Sequence, residues 1–228
     1  AAAAAKRVRE LGCTRFSTIV HGAGRGGLTA AAAAQAVAEG SLLGAYRFDA
    51  HRRERKPTDT PPVAEMTVVE ANAAQLEAVA AGVAVGQALG DNANWARDLI
   101  NEPANYLSPR DLARRIRERA GGVGLSCQVL DEQAMAELGA GSFLAIGQGS
   151  DEEGQFVILE HTPQGYDGAT LPTVVLVGKA ITFDTGGISI KPAEEMWKMK
   201  DDMGGGAATA SALLTAAALN LPVHAVGL

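Results

Sequence analysis

Residues 177–206 read VGKAITFDTGGISIKPAEEMWKMKDDMGGG and hold four lysines, three aspartates and a terminal glycine run. Lys179 closes the apolar run Thr173–Val177, which reads as a buried strand. Its amine therefore falls at the carboxyl edge of a sheet, where α/β proteins take ligands. Asp184 follows five residues later, in Phe183-Asp184-Thr185-Gly186-Gly187, where two glycines let the backbone fold tightly. Asp202 lies just before Met203-Gly204-Gly205-Gly206, at a helix entrance. Two carboxylates and a lysine converging on one edge offer divalent cations oxygen ligands and one nitrogen. A lysine ligates only as the neutral amine, so its ordinary pKa of ~10.4 has to fall, as adjacent cations and desolvation make it do. The same residues also suit a solvated surface of Lys–Asp pairs with glycine turns. Spacing leaves both readings open.

The other motifs carry less. Gly22-Ala23-Gly24-Arg25-Gly26-Gly27 matches G-x-G-x-x-G between a strand and a helix, the pattern that brings a pyrophosphate to a helix N-terminus. No acidic residue clearly ends a second strand after it. The alternatives at Gly22–Gly27 are a flexible strand-to-helix turn and a nucleotide-binding or interaction module without catalysis. Gly178-Lys179 is no Walker loop, since Ala180 stands where serine or threonine is needed. The four histidines, His21, His51, His161 and His224, form no H-E-x-x-H pair and read as structural or solvent-facing.

The 228 residues carry a formal charge of −6. That excludes a basic nucleic-acid surface. The run His51-Arg52-Arg53-Glu54-Arg55-Lys56 is short, lies beside prolines and reads as a solvated loop. Cys13 and Cys127 are the only cysteines, which points to a reducing compartment and not to a disulfide framework. No apolar run approaches the ~20 residues of a membrane span. The opening AAAAAKRVRE has neither an initiator methionine nor a signal pattern, so the chain is expected to begin within a longer protein or after processing.

The elements that must position these residues alternate. A helix remnant over Ala1–Leu11 leads to a strand at Phe16–Val20 and an alanine-rich helix over Leu28–Gly40. A proline-bearing loop spans 51–63, and Thr67–Glu70 is a short strand. From Asn72 to about Ile100, Leu76, Val79, Val83, Trp95 and Leu99 mark a long helix that Pro103 ends. Gly82, Gly86 and Gly90 either weaken that helix or permit close packing. Ser108-Pro109-Arg110-Asp111 is a helix start. A strand at 126–130, a short helix from Asp131, the apolar segment Phe143–Ile146 and strands at Gln155–Glu160 and Thr173–Val177 follow. A small-residue helix over Gly205–Leu219 and a strand at Val223–Gly227 complete an α/β pattern.

VGKAITFDTGGISIKP and MKDDMGGGAA resemble the leucine aminopeptidase family, the cytosolic dinuclear-metal aminopeptidases. Glu39–Asp49 (EGSLLGAYRFD) resembles the end of that family's N-terminal domain, and Arg97–Pro109 (RDLINEPANYLSP) the start of its catalytic domain. The resemblance implies a partial N-terminal α/β domain over 1–70, a bridging helix over 71–102 and the first half of an α/β metallopeptidase domain over 103–228, with a mixed sheet flanked by helices. It makes Lys179 and Asp202 ligands of the more exchangeable metal and Asp184 the carboxylate bridging both. Lys191 is then the catalytic lysine that meets the oxyanion, and Met199 a wall of the pocket for the first side chain. Asp201 is not carried over. Two divalent ions, Mn2+ or Zn2+, peptide substrates, a homohexamer, a cytoplasmic location and no nucleic-acid or membrane partner are implied as well. The family's further Asp-x-Glu pair and arginine do not occur here. The chain therefore resembles a fragment of a member about twice its length and is expected to be inactive alone.

Overall fold

The computed structural model describes residues 1–52, 54, 56, 59–166 and 170–228. Arg53, Arg55 and Pro57 of the expected basic loop lie outside the described residues. The chain forms two compact units, Ala1–Asn94 and Trp95–Leu228.

In the first unit, α1 (Ala2–Glu10), β1 (Arg15–Ile19), α2 (Ala30–Ala45) and β2 (Glu65–Val69) precede the long helix α3 (Leu76–Asn101), within which the division falls. β1 and β2 pair in parallel, with Ser17 opposite Thr67. The three helix glycines decide how α2 and α3 meet. A β-carbon on Gly82 would collide with the Ala31 carbonyl, one on Gly86 would lie 2.5 Å from the Gln35 oxygen, and one on Gly90 2.8 Å from Leu42 Cβ. Spaced four apart, they give α3 a flat face on which Ala31, Gln35, Ala38 and Leu42 of α2 lie. The close-packing reading of these glycines therefore holds.

The second unit contains α4 (Pro109–Gly122), β3 (Ser126–Leu130), α5 (Glu132–Glu137), α6 (Gly141–Gly147), β4 (Phe156–His161), β5 (Thr173–Leu176), α7 (Gly204–Ala218) and β6 (His224–Gly227). Its sheet runs β3-β4-β6-β5; β3/β4 and β4/β6 are antiparallel, and β5/β6 is parallel. This is the mixed sheet the sequence implies. Helices α4 and α7 pack on it and on each other. Leu99, Leu107, Leu112, Ile116, Leu159, Met203, Leu213 and Leu214 form the core between them. Full burial of each such side chain is worth about 1.5–3 kcal/mol. Ser108 caps α4 as expected. Its Oγ accepts from Asp111 N at 3.3 Å and donates to the Asp111 carboxylate at 2.9 Å. That hydroxyl first, and the Arg114 guanidinium next, hold the Asp111 carboxyl below its usual range.

One expectation is corrected. The run Thr173–Val177 is not a buried strand: Val174 and Val175 are 43% and 53% exposed, and Val177 is 78% exposed. β5 is the outermost strand of its sheet, with a ladder partner only on the β6 side among the described residues. Apolar composition alone does not distinguish an edge strand from a central one. The apolar segment Phe143–Ile146 is helical, as part of α6.

A substitution at Gly82 tests the helix contact by its sign. Helix propensity alone makes Gly82→Ala stabilising by about 1 kcal/mol. Collision with Ala31 makes it destabilising by about 1–3 kcal/mol, the scale of overpacking. The shift of the urea midpoint decides between them.

Candidate metal centre

The ladder does not stop cleanly after β5. Leu228 N donates to the Leu176 carbonyl at 2.8 Å, and Gly178 N to the Leu228 carbonyl at 2.9 Å. The chain then crosses the first turn of α7. A β-carbon on Gly178 would strike the Gly205 carbonyl, one on Gly205 would lie 3.0 Å from Lys179 N, and one on Gly206 2.7 Å from Ala180 Cβ. Gly206 N donates to the Lys179 carbonyl at 2.7 Å, which satisfies one of the free amides at the helix start. Glycine is required on both sides because two backbones touch there.

That crossing puts Lys179 beside the residues that lead into α7. The chain enters the 3₁₀ segment Met196–Met203 through Glu195, which has φ of 58°. Met203 is fully buried and anchors the segment's end. Lys200 Nζ ties it to the Asn101 carbonyl at 2.6 Å. Asp202 then meets Lys179, with Nζ to Oδ2 at 2.7 Å. Asp202 Oδ2 is itself shielded from solvent, and no group approaches it at hydrogen-bonding angles. The contact with Lys179 is an ion pair. The Asp202 carboxylate, with a smaller pull from Asp184, holds the Lys179 ammonium above its ordinary value.

Asp184 sits in the loop between. Its Oδ1 accepts from Gly186 N at 2.8 Å, and its Oδ2 accepts from Lys191 Nζ at 2.9 Å. Gly186 has φ of 90°, and a β-carbon there would lie 2.5 Å from the Ser189 carbonyl. Lys191 N donates to the Thr185 carbonyl at 2.9 Å and closes the loop. Lys191 Nζ also lies 3.0 Å from Met199 Sδ, and Asp184 N donates to the Met199 carbonyl at 3.4 Å. The Lys191 ammonium first, then the Gly186 amide, hold the Asp184 carboxyl below its usual value.

The loop sets the five residues singled out in the sequence in two groups. Lys179 pairs with Asp202, and Asp184, Lys191 and Met199 touch one another. Lys200 is a positioning residue the sequence did not mark, because a bond to a backbone carbonyl leaves no residue-type signature. The histidines have other partners: His21 meets Thr18, His161 the Leu221 carbonyl, and His224 both Thr173 and Glu160. Among the described residues no group of three or more His, Cys, Asp or Glu converges. At Gly22–Gly27 the turn bonds mainly to itself, and the Ala32 amide at the start of α2 is taken by Thr29 Oγ1.

Divalent cations fit this donor set. Both carboxylates already hold a positive group, and a shielded oxygen of Asp202 has no hydrogen-bond donor. Oxygen ligands of this kind suit hard or borderline metals.

The fold and this arrangement belong to a defined class: residues 94–228 match the catalytic domain of the cytosol aminopeptidase family, and the chain is a member of it. Among its relatives, the probable cytosol aminopeptidase of Roseiflexus castenholzii is 44% identical over 228 residues, covering all of this chain and 46% of the relative. That of Geotalea uraniireducens is 42% identical over 230 residues, covering all of this chain and 45% of the relative. The chain therefore spans under half the length of these curated relatives. Among solved structures, the bottromycin maturation enzyme BotP in complex with Mn superposes with a TM-score of 0.82 at 39% identity, covering 99% of this chain and 45% of that one. A tomato leucine aminopeptidase mutant gives 0.80 at 22% identity over 99% of this chain and 42% of its own, a likeness of fold alone. No helix among the described residues is long and apolar enough to cross a membrane.

The backbone contact under the site gives a direct test. Gly178→Ala forces residues 178–180 away from α7, at a cost of about 1–3 kcal/mol. Chemical denaturation should show the loss, while Gly187→Ala, with open space around it, should cost only the strain of its left-handed backbone, about 1 kcal/mol.

Proposed function

We propose that this chain is part of a metal-dependent aminopeptidase that removes N-terminal, leucine-like residues from peptides. The observation that carries the reading is the loop that sets Lys179 against Asp202 and Asp184 against Lys191 and Met199. In this reading Lys179, Asp184 and Asp202 would hold the cations. Manganese or zinc suits the ligands, and the manganese complex of the similar BotP supports a divalent ion. When bound, such ions supply a water of lowered pKa and polarise the scissile carbonyl.

The chain's own residues do the rest. Lys191 donates from its ammonium to the oxygen on which charge develops, a contact stronger in the transition state than with the ground-state carbonyl. Met199 offers an unbranched, polarisable wall to an apolar first side chain. The loop hydrogen bonds through Gly186 and Thr185 fix where Asp184 and Lys191 stand. We further propose residues 1–70 as part of an N-terminal domain, 71–102 as the bridging helix and 103–228 as part of the catalytic domain. A homohexamer acting on peptides in the cytoplasm is the expected assembly, supported by the family membership and by the relatives' description as cytosol aminopeptidases.

Charge sets what these residues alone achieve. Asp184 and Asp202 bring two negative charges, against four positive charges on two divalent ions, and no third carboxylate joins them among the described residues. Residues 1–228 by themselves should hold metal weakly and show no measurable hydrolysis of a leucine anilide. Clear metal-dependent turnover by the isolated chain would contradict this ligand count.

The roles of two residues are separable in the full-length protein. Asp184→Ala should remove metal and activity together, read by elemental mass spectrometry and by turnover. Lys191→Ala should keep its metal under saturating conditions and lower kcat by about 10²-fold or more, the scale of one oxyanion donor. Full metal occupancy in the first variant, or unchanged kcat in the second, would sink the corresponding assignment.

A further inference from the structure

Both oxygens of Asp184 are engaged, Oδ1 by the Gly186 amide at 2.8 Å and Oδ2 by the Lys191 ammonium at 2.9 Å. A carboxylate shared between two cations needs both oxygens. An amide that shares an oxygen still leaves a lone pair free, but an ammonium in contact places a full positive charge where the ion must come. The groups around Lys191 limit where it can go. Its Nζ has a second partner in Met199 Sδ at 3.0 Å, and its backbone is held by the Thr185 carbonyl at 2.9 Å. The side chain is about one-third exposed, so it can swing without unpacking the core. Resting on the metal-site reading given above, we propose that the Lys191–Asp184 ion pair is a loading latch. Lys191 occupies Asp184 Oδ2 in the metal-free protein, and cation binding at Asp184 displaces its ammonium to the Met199 side, where it is free to meet substrate.

The latch makes Lys191 and metal compete for one oxygen. No proton changes hands, since the lysine stays charged in both positions. Removing the ammonium should therefore tighten metal binding even though it damages catalysis, which separates the latch from a purely catalytic role. Partly exposed ion pairs of this kind change an equilibrium by at most about fivefold.

The test is isothermal titration of Mn2+ into the metal-stripped full-length protein. Lys191→Met keeps the length of the side chain and removes its charge, and Lys191→Gln is a second variant should the first fold poorly. Lys198→Met is the charge control, because Lys198 pairs with Glu195 and touches neither candidate aspartate. The expected result is about two- to fivefold tighter Mn2+ binding in the Lys191 variants, with Lys198→Met unchanged. Unchanged or weaker binding in both Lys191 variants would overturn the latch. So would equal tightening in Lys198→Met, which would mark a general effect of net charge. Asp184→Asn in the same assay separates the two levels: if it binds Mn2+ like the wild type, the metal-site reading itself falls and the latch with it. If it loses tight binding while the Lys191 variants do not tighten, only the latch falls.

Discussion

The site depends on two backbones lying in contact. Gly178 and Gly205 approach so closely that neither tolerates a side chain, and the Gly206 amide bonds the Lys179 carbonyl across the gap. This contact fixes the chain that leaves β5 across the first turn of α7. Lys179 then stands over Asp202, which lies two residues before that helix. Any widening by a methyl group separates the amine from the carboxylate, so the chemistry rests on residues that have no chemistry of their own. The buried Met203 and the Lys200 bond to Asn101 secure the other side of the same joint.

A second constraint is charge. Each of the two carboxylates holds a lysine. The lysines compensate the aspartates, and Asp202 Oδ2 still has no hydrogen-bond donor. Such pairing is weak where it is exposed to water, which suits groups that must let go of each other when a divalent ion arrives. A tightly buried ion pair would have been harder to open.

Much of this was legible in the residues. The order of helices and strands followed from apolar periodicity, and the starts of α4 and α5 followed from Ser108 and Asp131, whose side chains do cap those helices. Lys179, Asp184 and Asp202 were marked by residue type and by the glycines between them, whereas Lys191 and Met199 were marked only by the family resemblance. Three features were hidden. The exposure of β5 was not read because an apolar run does not say which neighbours it meets, and among the described residues β5 has a ladder partner only on the β6 side. The choice between weakening and close packing at Gly82, Gly86 and Gly90 required knowing that α2 lies against them, with the Ala31 and Gln35 carbonyls and the Leu42 side chain in contact. The Lys200 anchor uses a backbone carbonyl 99 residues away, and a carbonyl belongs to every residue alike.

The most direct measurement is anomalous diffraction at the manganese edge from crystals of the full-length protein grown with Mn2+. The account expects peaks at coordination distance from the carboxylates of Asp184 and Asp202, one of them also at the Lys179 amine, with Lys191 moved off Asp184. Ordered manganese elsewhere, with the Lys179–Asp202 and Lys191–Asp184 pairs intact, would contradict it.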